Sequence, residues 1–262
     1  MCELLKGRRA LVCGASRGIG RACATRLALL GAEVTLVARD EAALQGVLAE
    51  LDTGAGQAHR LFPADFTDPR VLRESVLRHI EKVGTLHILI NNTGGPPPGM
   101  ILDASPAQFE KAMTMHLVCN QILAQSLVPG MKEAVFGRII NIISVSVKEP
   151  IKGLGVSNTT RWAVASWAKT LASELAPFAI TVNNVLPGYT DTERLRLLIA
   201  DRAEKAGVSL AAIEQSMLAE VPTGRFARPE EVASAVGFLA SPDASYISGI
   251  NLPVDGGRMS CL

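Results

Sequence analysis

The chain has 262 residues, 48% hydrophobic and 19% charged, enough for one α/β domain with a large buried core and too few for a second of similar size. Its 26 Lys and Arg nearly balance 25 Asp and Glu, so no global field draws it to nucleic acid or to an anionic membrane, and any ligand has to be recognised locally. Cys2, Cys13, Cys23, Cys119 and Cys261 are odd in number and include no C-x-x-C pair, which speaks against a disulfide framework or a zinc site and for a reducing cytoplasm.

Residues 1–9 carry Lys6, Arg8 and Arg9 with no apolar segment before them. No run of about 18 apolar residues follows anywhere, so neither export nor a membrane span is expected. Asn91-Asn92-Thr93 and Asn158-Thr159-Thr160 match the glycosylation pattern, but without export they are chance matches. Along the chain, short β-rich runs at 10–13, 34–37, 60–62, 86–90, 138–143, 180–186 and 250–254 predict seven strands buried on both faces. Between them, apolar residues at helical spacing predict helices over 19–30, 41–51, 69–83, 109–131, 157–175 and 229–239. Asp68-Pro69 and Arg228-Pro229 put proline in a helix's first turn, and Gly31 stops the first helix before the second strand. This alternation implies a single Rossmann-type α/β domain over residues 1–262, a doubly wound parallel sheet of seven strands with helices on both faces. Gly94-Gly95-Pro96-Pro97-Pro98-Gly99 forces the chain out of the sheet as a loop, and the charged helical stretch 191–220 is placed to act as a lid over a cleft.

Gly14-Ala-Ser16-Arg17-Gly18-Ile19-Gly20 follows the first strand and opens the first helix. Glycines there allow a tight turn and let a pyrophosphate approach the helix N-terminus. The same residues spell G-x-S-x-G, the nucleophile elbow of α/β-hydrolases, but in those enzymes the catalytic histidine comes last, and here His59, His79, His87 and His116 all lie in the first half. After the second strand, where an acid would bind the ribose 2′-hydroxyl of NAD(H), the chain has Ala38 and then Arg39. Arg17 and Arg39 together favour NADP(H) over NAD(H) through charge-assisted contacts to a 2′-phosphate, unless Asp40 pairs with one of them.

Gly14 to Gly20, Asp65, Asn91-Asn92-Thr93-Gly94, Ser144, Pro187-Gly188 and Asp255-Gly256-Gly257, in this order, resemble the short-chain dehydrogenases/reductases from end to end. Gly137 to Asn141 and Val221 to Gly257 look most like the 3-oxoacyl-acyl-carrier-protein reductases, NADPH-dependent tetramers. The resemblance implies that Asp65 and Phe66 flank the adenine, that Asn91, Asn92 and Gly94 line the cofactor, and that Pro187, Gly188, Thr190 and Thr192 seat the nicotinamide. It also implies a homotetramer or dimer built on helices 109–131 and 157–175, with Trp162 and Trp167 either at that interface or in the core.

The family's catalytic set is Asn, Ser, Tyr and Lys, and this chain retains only the serine, Ser144. The Tyr-x-x-x-Lys position reads Ser157-Asn-Thr-Thr-Arg161, and the asparagine position reads His116. A phenol of pKa about 10 can be tuned toward neutrality by a neighbouring cation, whereas an aliphatic hydroxyl is a far weaker acid. Arg161, at i+4 from Ser157, shares its face and can hold the nicotinamide ribose or clamp a carboxylate or phosphate, but it cannot relay a proton. His116 is a candidate acid-base group set against an ordinary packed histidine; Tyr189, Ser146 and Lys148 are further candidates. The leading expectation is an NADPH-dependent oxidoreductase acting on a small-molecule carbonyl or alcohol substrate, with Ser144 as oxyanion donor. The alternative is a catalytically silent NADP(H)-binding sensor or scaffold.

Overall fold

The computed structural model describes residues 3–261. In chain order these form β1 (Arg9–Cys13), α1 (Gly18–Leu29), β2 (Glu33–Ala38), α2 (Glu41–Glu50), β3 (Arg60–Pro63), α3 (Pro69–Val83), β4 (Ile88–Asn91) and α4 (Pro106–Met113). A π-helical turn (Thr114–Val118) leads into α5 (Cys119–Glu133), followed by β5 (Gly137–Ile142), α6 (Gly155–Leu175), β6 (Ile180–Pro187), α7 (Glu193–Ala206), α8 (Leu210–Ala219), α9 (Pro229–Ala240) and β7 (Asn251–Val254). The strands make one parallel sheet in the order β3-β2-β1-β4-β5-β6-β7.

Side chains alternate across the sheet and build a core on each face. Ala10 and Val12 of β1 join Ile88 and Ile90 of β4 under α1, α2 and α9, whereas Leu11, Cys13 and Leu89 face α3, α5 and α6. A parallel sheet covered by helices on both sides favours apolar residues at its central positions, and β1 and β4 supply them, whereas the equally buried β6 also carries Thr181, Asn183 and Asn184. Only the central strands are buried throughout, because β3 and β7 form the edges and are part-exposed. Helix starts follow local chemistry: Asp68 accepts from the amides of Arg70 and Val71 at the head of α3, with Pro69 in its first turn. Gly31 ends the α1 segment at φ +93°, in the left-handed region.

Two elements differ from their expected form. The helix expected over 109–131 is instead α4, a π turn and α5, because one residue too many for an α turn sits at Thr114–Val118. The charged stretch 191–220 is two helices, α7 and α8, separated by Gly207 at φ +65°. No helix among the described residues is long and apolar enough to cross a membrane.

Strand order reverses between β1 and β4, whose following connections leave toward opposite faces of the sheet. Beyond the carboxyl ends of strands at such a switch point an open α/β sheet has its natural crevice. The crevice is present.

Candidate functional site

A cleft of about 1440 Å³ opens beside the β1 and β4 carboxyl ends. It is lined by Gly14, Ser16, Arg17, Gly18 and Ile19 from the glycine turn, by Arg39 after β2, by Asp65 and Phe66 after β3, by Asn92 and Gly94 after β4, and by Thr192 at the start of α7.

The glycine turn is shaped by close approach. A Cβ at Gly14, whose φ is +60°, would lie 2.5 Å from the carbonyl oxygen of Asn92, and one at Gly20 would lie 2.1 Å from that of Gly14. Neither position accepts a side chain, so the turn stays low and the α1 N-terminus faces open space. Asn92 fastens this turn to β4, its amide donating to the carbonyls of Cys13 and Gly14 at 3.2 and 3.3 Å.

Arg17 and Arg39 both reach the cleft, but Asp40 pairs with neither. Asp40 caps α2 by accepting from the Ala43 amide, and the partner of Arg17 is Glu193 on α7, across the cleft. Asp65 accepts from the Thr67 amide, which holds its carboxyl below the usual carboxylate range with added help from Arg39.

Asn91 does not line the cleft. It is buried, and its amide donates to Asn141 Oδ1 at 2.8 Å; Asn141 donates to Asn184, and Asn184 to Asn251, each at 2.8 Å. These four amides run in register across β4, β5, β6 and β7. Pro187 and Gly188 also lie outside the cleft lining; a Cβ on Gly188 would sit 2.8 Å from the Cα of Asp255, so this glycine lets the chain pass the end of β7. Thr190 is buried and bonds the Gly188 carbonyl at 3.2 Å, and Thr192 caps α7 at the cleft edge.

Ser144, Ser157, Arg161 and His116 gather beyond β4 and β5. Ser144 Oγ accepts from the Ser146 amide at 3.1 Å and so caps the short 3-10 turn Val145–Val147. Ser157 and Arg161 are buried one turn apart on α6, and Arg161 donates to the Ile142 carbonyl at the end of β5 at 2.9 Å. Burial, and then the charge of Arg194, lower the Arg161 guanidinium to about 10. It remains fully charged at neutral pH.

His116 stands in the π turn with Nδ1 2.8 Å from Thr93 Oγ1. Burial, then Arg161, then Arg194, push its imidazole down to about 3, so it is neutral near pH 7 and has no proton of suitable acidity to give. Tyr189 turns away from proton transfer as well. Its hydroxyl donates to Glu220 at 2.9 Å, its ring lies against Phe226 and under the Arg258 guanidinium, and burial raises its pKa. Ser146 is buried and its carbonyl accepts from Trp162, which is half exposed; Trp167 bonds Gln121 and packs against the core.

Sequence reasoning missed two residues. Arg194 donates to the Gly95 and Pro96 carbonyls at 2.9 and 3.2 Å and so ties α7 to the loop after β4; Glu193 does the same for the glycine turn. Both belong to the charged stretch 191–220, whose acidic and basic residues announced no partner in the sequence.

The model of the family described as enoyl-(acyl carrier protein) reductase matches residues 14–259. The chain is 35% identical to the 3-oxoacyl-[acyl-carrier-protein] reductase FabG of Vibrio cholerae, over 97% of this chain and 98% of that one. It is 31% identical to the short-chain reductase protein NovJ of Streptomyces niveus, over 95% and 93%. Among solved structures, L-sorbose reductase from Gluconobacter frateurii complexed with NADPH and L-sorbose superposes with a TM-score of 0.93 at 30% identity, covering 100% of both chains. With the glycine turn, the switch-point cleft and these relatives in agreement along its length, the chain belongs to the short-chain dehydrogenase/reductase family.

Proposed function

We propose that this protein is an NADPH-dependent oxidoreductase that moves hydride between a nicotinamide and a small carbonyl or alcohol substrate. The observation that carries the reading is the cleft itself: a glycine turn that excludes every side chain at Gly14 and Gly20, flanked by Arg17 and Arg39, with Ala38 at the end of β2 and the nearby acid Asp40 turned to cap α2. The relatives agree, since the L-sorbose reductase was solved with NADPH and the FabG proteins are reductases by name.

The residues present fit a dinucleotide. Gly14, Ser16, Gly18 and Ile19 would receive its pyrophosphate at the head of α1, with Gly20 behind them keeping the turn close, Arg17 and Arg39 its 2′-phosphate, and Asp65 and Phe66 its adenine. Asn92, Gly94, Thr190 and Thr192 would hold the nicotinamide half; Asn91, Pro187 and Gly188 would act by setting the backbone that carries them. When bound, NADPH supplies the hydride. Ser144 Oγ, a hydroxyl held by the Ser146 amide, would donate to the carbonyl oxygen as charge builds on it. Arg161, charged and anchored on β5, would add electrostatic stabilisation without giving up a proton. Ser157 would place a second hydroxyl beside it, and neutral His116 would hold Thr93 in place. Release of Arg17 from Glu193 would let α7 and α8, residues 191–220, open and close as a lid. We further propose a single domain, a cytoplasmic location and a homotetramer or dimer.

A fluorescence titration with NADPH and NADH tests the reading. Saturation by NADPH at least about tenfold tighter than by NADH, about 1.4 kcal/mol, is expected. Binding of neither overturns it, and NADPH binding without turnover of any carbonyl compound would leave the silent sensor or scaffold.

A further inference from the structure

Three of the cations around the cleft mouth are answered by acids: Arg17 by Glu193, Arg21 by Glu50 and Arg196 by Asp191. Arg26 and Arg39 line the cleft without an ion pair among the described residues, and they lie apart from each other on α1 and after β2. Arg161 and Arg194 are different. Neither forms an ion pair among the described residues, and each spends its hydrogen bonds on backbone carbonyls, Arg161 on Ile142 and Arg194 on Gly95 and Pro96. Yet the two forks converge. A Cβ built on Gly95 would lie 2.6 Å from one Arg194 terminal nitrogen and 3.2 Å from one of Arg161, so both reach a single point.

Arg161 is 9% exposed, and the charge that lowers its pKa after burial is Arg194, another cation. A buried charge is normally paired, and one whose neighbour carries the same sign is held at a cost unless an anion joins it. The two guanidiniums keep N–H groups over after their carbonyl bonds, and planar forks of this kind match a carboxylate. Arg194 lines the cleft, but Arg161 does not; it is bonded to the end of β5, two residues before Ser144. The shared point is thus on the Ser144 and Ser157 side of the Gly94–Gly99 loop rather than at the glycine turn where a pyrophosphate belongs.

We infer that Arg161 and Arg194 together receive a carboxylate of the substrate, which makes the protein selective for oxo or hydroxy acids over neutral carbonyl compounds. The inference rests on the oxidoreductase reading for its chemistry, and the carboxylate site is specificity built from an arginine pair. Gly95 is part of the device, since any side chain there would push the Arg194 fork aside.

The test is calorimetric titration of the full chain, with and without NADP+, using pyruvate and acetoacetate as probes and their methyl esters as neutral controls. NADPH affinity is followed by fluorescence in the same samples. Both acids are expected to bind saturably, and the esters at least about tenfold more weakly. R194Q, on an exposed helix face, is expected to bring the acids to the level of the esters, and G95A to weaken them in the same direction. Acids and esters binding alike, or neither acid binding saturably, overturns the proposal. So does R194Q weakening NADPH more than about tenfold with the acid-to-ester ratio unchanged, which would assign the pair to a cofactor phosphate. Acid binding lost in R194Q in a protein that ignores NADPH would uphold the site and sink the oxidoreductase reading instead.

Discussion

Asn141 is fully buried at the centre of the amide ladder, accepting from Asn91 and donating to Asn184, both at 2.8 Å. Replacing it with leucine, of similar volume, removes both bonds at once. The Asn91 amide nitrogen and the Asn184 carbonyl oxygen are then left dry and unpartnered, and the Asn91 oxygen has no partner to begin with. Each newly orphaned group costs about 1–3 kcal/mol, so Asn141→Leu is expected to lose about 2–6 kcal/mol, a large part of the roughly 5–15 kcal/mol that holds a domain folded. Urea unfolding followed by circular dichroism reads this as a lower midpoint with an unchanged slope. The double variant Asn91→Leu/Asn141→Leu should lose less than the two single losses added together, because one orphan disappears with Asn91. A loss below about 0.5 kcal/mol for Asn141→Leu, the size of an ordinary surface change, would show that the ladder carries no weight and refute the reasoning.

Three further outcomes follow from the geometry. Ser144→Ala is expected to lower turnover by about 100-fold while leaving NADPH affinity near that of the parent; unchanged turnover would remove Ser144 from the oxyanion role. Burial first, and neighbouring cations second, hold His79 and His87 at about 4 and His116 at about 3, below the ordinary 6.5. Because the unfolded chain takes up these protons first, stability is complete above about pH 6.5 and falls as the pH drops toward 4 for His79 and His87 and toward 3 for His116, with at most roughly 3 kcal/mol from each of the first two and roughly 5 kcal/mol from the third. A denaturation midpoint flat between pH 7 and 5 would contradict the burial of these rings. Gly14→Ala should abolish NADPH binding in a protein that still folds or else unfold it outright, since its Cβ would meet the Asn92 carbonyl at 2.5 Å; normal NADPH affinity in this variant would mean that the turn is not the cofactor seat.

The sheet was legible because parallel strands covered on both faces are rich in apolar residues, and residues 10–13 and 88–90 read that way against the helical spacing between them. The glycine turn was legible for the same kind of reason, since its spacing is dictated by close backbone approach. What stayed hidden depends on distant partners. Nothing near Arg17 in the sequence points to Glu193, 176 positions away, whereas Asp40, the acid next to Arg39, is a helix cap. Asn91 looked like its neighbour Asn92, yet one amide faces the ladder and the other the glycine turn. A signal existed: asparagines at 91, 141, 184 and 251 each fall within a strand, where an isolated polar residue needs a partner on the next strand. Whether Arg161 bonded a carbonyl or an acid could not be read from spacing on α6 alone.

The π turn at Thr114–Val118 has a consequence for how the surrounding helices tolerate change. α4 packs toward α6, whereas α5 packs toward α3 and the sheet. Successive residues of an α-helix are rotated by about 100°, so one additional residue re-phases everything after it by that angle. The two halves therefore obey separate stripes, and an uninterrupted helix of the same sequence could satisfy one neighbour only by turning polar side chains into the other. The extra residue works as a gear tooth: it lets the α4 side drift in sequence without disturbing the phase of α5, while His116, carried on the tooth itself, keeps its place beside Thr93.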